Sequence, residues 1–168
     1  MIIRRERAPD RPEIQAVIEA AFSSKVEARL LRELFAAREY LPEYSLVAES
    51  ESGEIRGYVI STRGRIGTAP ALGLGPIGVL EKYQRQGIGA MLINATVTTA
   101  NAAGENAIVL LGSVDYFPRL GFLPADSLGI ASPDRSWGSH FMALPLSGYG
   151  ADTRGQFRYA EPFNRLSK

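Results

Sequence analysis

Cysteine is absent from the 168-residue chain, which excludes disulfides, thiolate metal ligands and a cysteine nucleophile and gives no direct indication of redox compartment. Histidine occurs once, at His140, so neither a histidine-rich metal site nor a triad requiring a second histidine can be built. Charge of one sign is lacking too. The 19 Lys and Arg against 18 Asp and Glu leave a net charge of +1, excluding the basic excess that drives nonspecific nucleic-acid binding and confining any anion site to a local feature. No stretch of about 18 uncharged apolar residues exists, and Arg4, Arg5, Glu6 and Arg7 stand where a secretory signal would need its apolar run. The expectation is a soluble, unexported, cytoplasmic chain with no membrane or nucleic-acid partner. No internal repeat of roughly 20 to 50 residues and no low-complexity tract is found.

What is present fits one globular domain. Apolar residues make up 45% and charged residues 22%, and a domain of this length buries roughly 70% of the surface its unfolded chain exposes. Ile2 and Ile3 open a short strand. Asp10 and Glu13 stand at N-cap and N3 spacing with Pro12 in the first turn, and Ile14, Val17, Ile18, Ala21 and Phe22 form one apolar helical stripe. Ser24 and Glu27 repeat the capping-box spacing before Val26, Leu30, Leu31, Leu34 and Phe35, predicting a second helix to about Arg38.

From Tyr44 the period changes. Residues 44–49 and 55–66 read as a hairpin around Gly53, and 71–80 as a further strand that Gly73, Gly75, Pro76 and Gly78 splay or bulge. Residues 87–103 carry Ile88, Met91, Leu92 and Ala95 at helical spacing, with Gly104 as stop signal, and 107–111 form a short buried strand. A short helix at 116–120, a strand near Phe122 and a last strand at 141–146 complete an α+β reading; the tail from Ser147 to Lys168 takes no assignment.

The chemistry-bearing pattern is QxxGxG: Gln84, Arg85, Gln86, Gly87, Ile88 and Gly89, followed by Ala90, between an apolar strand and an amphipathic helix. Glycines there let the main chain approach an anion, while the helix start supplies unpaired N–H donors and a partial positive charge. A pyrophosphate fits; a glycine-rich turn without ligand is the plain alternative. A dinucleotide fold is excluded because no GxGxxG follows the first strand, and a P-loop because no Lys with Ser or Thr follows the last glycine.

The segment from Ile77 to Ala90, IGVLEKYQRQGIGA, resembles the acyl-CoA-binding motif of the GNAT (GCN5-related) N-acetyltransferase superfamily, whose signature is Q/RxxGxG/A. The order of elements is similar as well, down to a late short helix ending in Gly121 and Phe122. Residues 72–76, residues 116–122 and a tail with Tyr159 and Phe163 are similar to the YhbS-like bacterial branch. The resemblance implies a three-layer fold over residues 1–146, with a mixed, largely antiparallel sheet, a splayed central strand and flanking helices; residues 147–168 would be an extension packed on it. It further implies acetyl-CoA as co-substrate, no metal, a small-molecule or peptide amine as acceptor, and a homodimer as one open assembly. Backbone groups of Ile77, Gly78 and Val79 would pair with the pantetheine arm, and Gln84, Arg85, Gln86, Gly87, Ile88, Gly89 and Ala90 would hold the pyrophosphate.

Direct attack of an amine on a thioester needs a base for the amine and an acid for the leaving thiolate. The superfamily's usual acid is a tyrosine four positions before the glycine of GF. That position is Phe117 here, with Tyr116 beside it as the candidate donor or as an aromatic wedge. The usual carboxylate of the splayed strand is missing from residues 71–80, leaving Glu81 as candidate base, as a solvated turn residue, or as a bystander to a water chain. His140, Asp115 and Asp126 read as structural; Trp137 reads as an aromatic plug or as an acceptor-pocket wall. Both departures favour a second hypothesis, a CoA-binding or acyl-CoA-sensing module with weak or lost catalysis.

Overall fold

A computed structural model describes residues 1–166; Ser167 and Lys168, the end of the tail, lie outside the described residues. Period-2 segments give β1 (Ile2–Arg5), β2 (Tyr40–Glu49), β3 (Ile55–Ile66), β4 (Ala69–Val79), β5 (Ala107–Leu111), β6 (Leu123–Pro124), β7 (Ile130–Ala131), β8 (Phe141–Pro145) and β9 (Gly155–Arg158). Helical stripes give α1 (Arg11–Ala21), α2 (Val26–Phe35) and α3 (Ile88–Ala102). The main sheet runs β1-β2-β3-β4-β5-β8-β6, with β9 paired to β3 and β7. Its pairs are antiparallel except β4 with β5; β7 with β9 is parallel as well. The fold is α+β, with a mostly antiparallel sheet and flanking helices.

Alternation along the strands sends side chains to two faces. On one, Val47, Tyr58 and Ile60 meet Ile14, Val17 and Ile18 of α1 and Leu30, Leu31 and Leu34 of α2. On the other, Leu46, Val59, Leu72, Ile108 and Leu110 meet Ile88, Leu92 and Ile93 of α3. A third cluster, Ile66, Ala71, Val109, Phe141 and Phe157, lies under the tail. The tail extends the sheet: β9 pairs with Arg65 and Ile66 of β3, beyond Thr62, where the pairing with β2 stops.

Several local expectations need correction. Asp10 does not cap α1 with its side chain; the carboxylate instead accepts from the Arg7 N–H at 2.7 Å and from Arg4 at 2.8 and 3.2 Å, and a 3₁₀ turn, Ala8–Asp10, precedes the helix. Glu13 accepts from the Ile55 N–H at 2.9 Å, tying α1 to β3 instead of closing a capping box. The Ser24 hydroxyl does accept from the Val26 N–H at 3.0 Å, without a reciprocal bond from Glu27 among the described residues. Helix α2 stops at Phe35 and β2 starts earlier, at Tyr40, whose hydroxyl bonds Glu6. The turn at Gly67 is tight enough for β4 to begin at Ala69. The short helix before Gly121 is a 3₁₀ turn over Phe117–Leu120.

The Arg4–Asp10 pair makes a pH prediction. The Arg4 hydrogen bond, above all, holds the Asp10 carboxyl below its ordinary value of 3.8. A folded-state pKa below the unfolded one contributes stability that is present above the unfolded value and lost as pH falls through the folded one. Between pH 5 and pH 3 the melting temperature should therefore fall less for Asp10→Asn than for the native chain, as thermal unfolding followed by circular dichroism will read. Parallel curves would remove Asp10 from the acid limb.

Candidate functional site

The last residues of β4 lead into a 3₁₀ turn, Glu81–Tyr83, packed on the β2–β3 hairpin by a Tyr83 hydroxyl bond to Glu54 (2.8 Å) and by the Arg56 guanidinium 4.0 Å over the Tyr83 ring. The Gln84 side chain then donates to the Val79 carbonyl at 3.0 Å, closing the loop on its own strand. Arg85 (φ 63°) and Gly87 (φ 86°) adopt left-handed backbone, reversing the chain so that α3 starts at Ile88. A non-glycine residue held there costs of order 1 kcal/mol or more and concentrates at ligand-binding turns.

Among the described residues, the N–H groups of Arg85, Gln86, Gly87, Ile88, Gly89 and Ala90 find no acceptor, and the first bonded amide is Met91, donating to Gly87 at 3.0 Å. A run of free donors at a helix start, with the positive end of the helix dipole behind it, is the arrangement that binds phosphates. The helix start is anchored from below: a Cβ at Gly57 of β3 would meet Ile88 at 3.0 Å and Leu92 at 3.1 Å, so the missing side chain lets α3 sit directly on the strand.

Beside the loop the sheet opens. β4 and β5 pair only at Leu72 with Ile108 and Gly73 with Val109; β4 then continues against β3 and β5 against β8, so the two diverge. From Leu74 to Val79 the β4 edge facing β5 is unpaired. Ile77, Gly78 and Val79 lie on that edge, registered on the other side with Val59, Tyr58 and Gly57. Gly78 serves packing: a Cβ there would come within 2.8 Å of Ala21, so its absence lets α1 approach.

The wedge is one end of a cavity of about 1140 Å³, floored by Leu74 to Ile77 of β4, Leu110 and Leu111 of β5, and Phe117. The opposite wall comes from the loop and tail: Trp137, Tyr159 and Phe163, with Phe22, Glu27 and Leu30 from the α1–α2 region. Tyr159 stacks on Phe163 with centroids 4.5 Å apart and stands perpendicular to Phe157 at 4.7 Å. Its ring lies over Gly73, where a Cβ would be 2.9 Å away, so it covers the point where the strands part. Burial pushes the Tyr159 phenol far above its ordinary range.

The candidates from the sequence fall in three places. Gln84 to Ala90 and Ile77 to Val79 are neighbours around the loop and the open edge. Tyr116 is outside the cavity lining: it stands edge-on to Phe117 at 5.0 Å, its hydroxyl 3.3 Å from where a Gly89 Cβ would be, and partial burial raises its phenol. Phe117 takes the cavity position. Glu81 is exposed in the outer turn and does not line the cavity. His140 is structural, its Nδ1 3.0 Å from the Gly112 carbonyl while the Gly112 N–H donates back to the His140 carbonyl at 2.9 Å. Trp137 lines the cavity. Spacing alone makes Glu27 a helix-start acid, and the tertiary structure places it on the cavity wall. No group of three potential metal ligands occurs among the described residues.

The family model described as "Acetyltransferase (GNAT) family" matches residues 12–122. The Escherichia coli K12 protein named "Uncharacterized N-acetyltransferase YhbS" is 32% identical over 126 residues, covering 73% of each chain. The crystal structure of E. coli YhbS in complex with CoA superposes with a TM-score of 0.88 at 28% identity, covering 98% of this chain and 92% of that one. A GNAT acetyltransferase from Brucella melitensis in complex with acetyl-CoA gives a TM-score of 0.77 at 32% identity, covering 96% and 97%.

Proposed function

The chain belongs to the acetyltransferase (GNAT) family, in its YhbS-like branch, and on that premise we propose that it transfers the acetyl group of acetyl-CoA to a primary amine by direct attack within a ternary complex. It is an acetyl-CoA-dependent enzyme by family, and its similar structures hold CoA or acetyl-CoA. The observation that carries the reading is the run of unbonded N–H groups from Arg85 to Ala90 beside the open edge of β4. Those donors hold the pyrophosphate, with Arg85 adding a charge and Gln84 fixing the loop. Ile77, Gly78 and Val79 pair with the amides of the pantetheine arm as a neighbouring strand would, laying the thioester into the wedge.

In the reaction the amine nitrogen forms a bond to the acetyl carbon, the carbon–sulfur bond breaks, the amine gives up a proton and the thiolate takes one. Tyr116 and Glu81 are the acid and base the superfamily pattern brings nearest. Glu81 needs a water relay from its exposed turn, and Tyr116 needs its hydroxyl to leave Gly89 for the sulfur. If Tyr116 is the acid, Tyr116→Phe should lower kcat by roughly 10²-fold or more with little change in acetyl-CoA affinity. Steady-state thiol release checks this, and unchanged kcat across the pH profile removes Tyr116 from the role. Phe117→Tyr tests the neighbouring position, where a gain in turnover means that this position faces the sulfur.

A second reading, a CoA-binding or sensing module with weak catalysis, is favoured by Phe117 at the acid position and by the absence of a carboxylate from residues 71–80. Acetyl-CoA binding with no amine-dependent thiol release identifies it. In this reading the transferase unit is residues 1–146 and the extension residues 147–168, whose strand β9 pairs with β3. No helix among the described residues is long and apolar enough to cross a membrane; the cytoplasm is the compartment this reading takes.

A further inference from the structure

Tyr159 supplies the one hydroxyl among the described residues that line the cavity. Its ring is clamped: stacked on Phe163 at 4.5 Å, edge-on to Phe157 at 4.7 Å and to Trp137 at 6.3 Å, and seated over Gly73. The hydroxyl itself is free. It makes no hydrogen bond among the described residues, burial alone being what shifts its phenol, and it is not sealed from water as the unpartnered hydroxyls of Ser61 and Thr62 are. With those neighbours packed against the ring, the side left open to the hydroxyl is the cavity. A donor kept unpaired on a ring that cannot turn away is preorganised for a ligand.

Its placement says which atom of a ligand it meets. Gly73 and Val109 form the last rung between β4 and β5, and from Leu74 the strands part. A Cβ on Gly73 would meet Tyr159 Cδ1 at 2.9 Å and Cε1 at 3.0 Å, and Cε1 adjoins the carbon that bears the hydroxyl. The hydroxyl therefore stands by the apex of the wedge. Acetyl-CoA with its pyrophosphate at Gln84 to Ala90 and its arm passing Val79, Gly78 and Ile77 runs toward that apex, so its thioester ends beside Tyr159. The Tyr116 hydroxyl, next to Gly89, lies at the pyrophosphate end of the arm. An ordinary phenol has a pKa of about 10 and a thiol about 8.5, and burial carries Tyr159 higher still. Giving its proton to the departing thiolate is uphill; donating a hydrogen bond to an oxygen that gains charge is not.

The geometry points to Tyr159 as a catalytic donor: its Oη–H hydrogen-bonds the thioester carbonyl oxygen of acetyl-CoA, and the bond strengthens as amine attack turns that oxygen into an oxyanion, with no proton leaving the phenol. This rests on the acetyl-transfer reading for its consequence, but the bond itself is read without turnover. Acetyl-CoA isotope-labelled at the acetyl carbonyl is bound to the protein without amine, and the carbonyl stretch is followed by isotope-edited infrared difference spectroscopy. Tyr159→Phe, which keeps the ring, should move the band to higher frequency and leave Tm near the native value. It should lower kcat by about 100- to 1000-fold, the loss typical of removing one oxyanion donor, and weaken acetyl-CoA binding by no more than about 10-fold, as for one neutral hydrogen bond.

Tyr116→Phe should not move the band. A band that stays put in Tyr159→Phe overturns the proposal, as does a native kcat in that variant, or a band that moves in Tyr116→Phe instead. A raised amine KM with the band unmoved would mean that the hydroxyl serves the acceptor, and overturns it equally. Monofluorotyrosine in place of Tyr159, a stronger donor on the same ring, should lower the frequency further and gives the same test should Tyr159→Phe not fold; an unmoved band there also overturns the proposal. A band that moves in Tyr159→Phe, with no amine-dependent thiol release from the native chain, would leave the hydrogen bond standing and count against the transferase reading alone.

Discussion

Gly89→Val is expected to weaken acetyl-CoA binding by at least about 100-fold while leaving the fold intact. The substitution suits its site: Gly89 lies in the first turn of α3, its φ is not left-handed, and among the described residues outside its own helix turn a new Cβ would come near just the Tyr116 hydroxyl, at 3.3 Å, the far end of a side chain that can give way. Valine is also a slightly better helix residue than glycine. What its methyl groups fill is the space over the free N–H groups, and each hydrogen bond to a charged group is worth roughly 1.5–3 kcal/mol, so losing two suffices for the stated effect. Gly87→Val is the less clean variant. Its φ of 86° forces a β-branched residue into left-handed backbone, so stability and binding fall together. Calorimetry with acetyl-CoA, paired with thermal unfolding, separates the two. Native-like affinity in a folded Gly89→Val chain would mean that the phosphates bind elsewhere.

Gly64→Val should lower stability by about 3 kcal/mol, a fall of roughly 6 to 12 °C in Tm for a domain of this size. A Cβ on Gly64 would meet Phe157 at 2.5 and 2.8 Å and the Arg158 carbonyl oxygen at 2.7 Å, and the last of these is backbone that cannot rotate away. The substitution should therefore lift β9 off β3 and expose the cluster of Ile66, Val109, Phe141 and Phe157. Because Tyr159 and Phe163 follow directly, the aromatic wall of the cavity should move with it, while the loop at Gln84 to Ala90 stays in place. The expected signature is a lower Tm, impaired amine use and retained acetyl-CoA affinity. A Tm within about 2 °C of the native value would show that the tail is not held at Gly64.

These two sites also show what the sequence could and could not disclose. The turn from Gln84 to Ala90 was legible because its features are local: left-handed backbone, absent side chains and a helix start within seven consecutive residues. The helices over Ile14 to Ala21 and Val26 to Phe35 were legible from their apolar stripes for the same reason. The tail was not. β9 has four residues: Phe157 and Arg158 pair with Ile66 and Arg65 some ninety positions upstream, and Gly155 and Gln156 with Ile130 and Ala131 of β7, so no local period announces them. Capping spacing misled in a related way: Asp10 closes the preceding 3₁₀ turn through the Arg7 N–H and pairs with Arg4 of β1, and Glu13 bonds Ile55, a partner that only tertiary packing supplies. Glu27 shows the same limit at the site, since one sequence position serves equally as a helix-start acid and as a cavity wall. Counting back from Gly121 marked Phe117 as a departure, and the structure lines the cavity with that ring while seating the Tyr116 hydroxyl at Gly89.

The most direct test of acetyl transfer is thiol release from acetyl-CoA, measured with the native chain over a matrix of acetyl-CoA and primary-amine concentrations. Attack within a ternary complex predicts that free CoA appears only when amine is present, with intersecting initial-rate patterns, an acetylated amine by mass spectrometry and no acetylated protein. Tight acetyl-CoA binding with no amine-dependent release, or parallel patterns with an acetyl-enzyme, would contradict it.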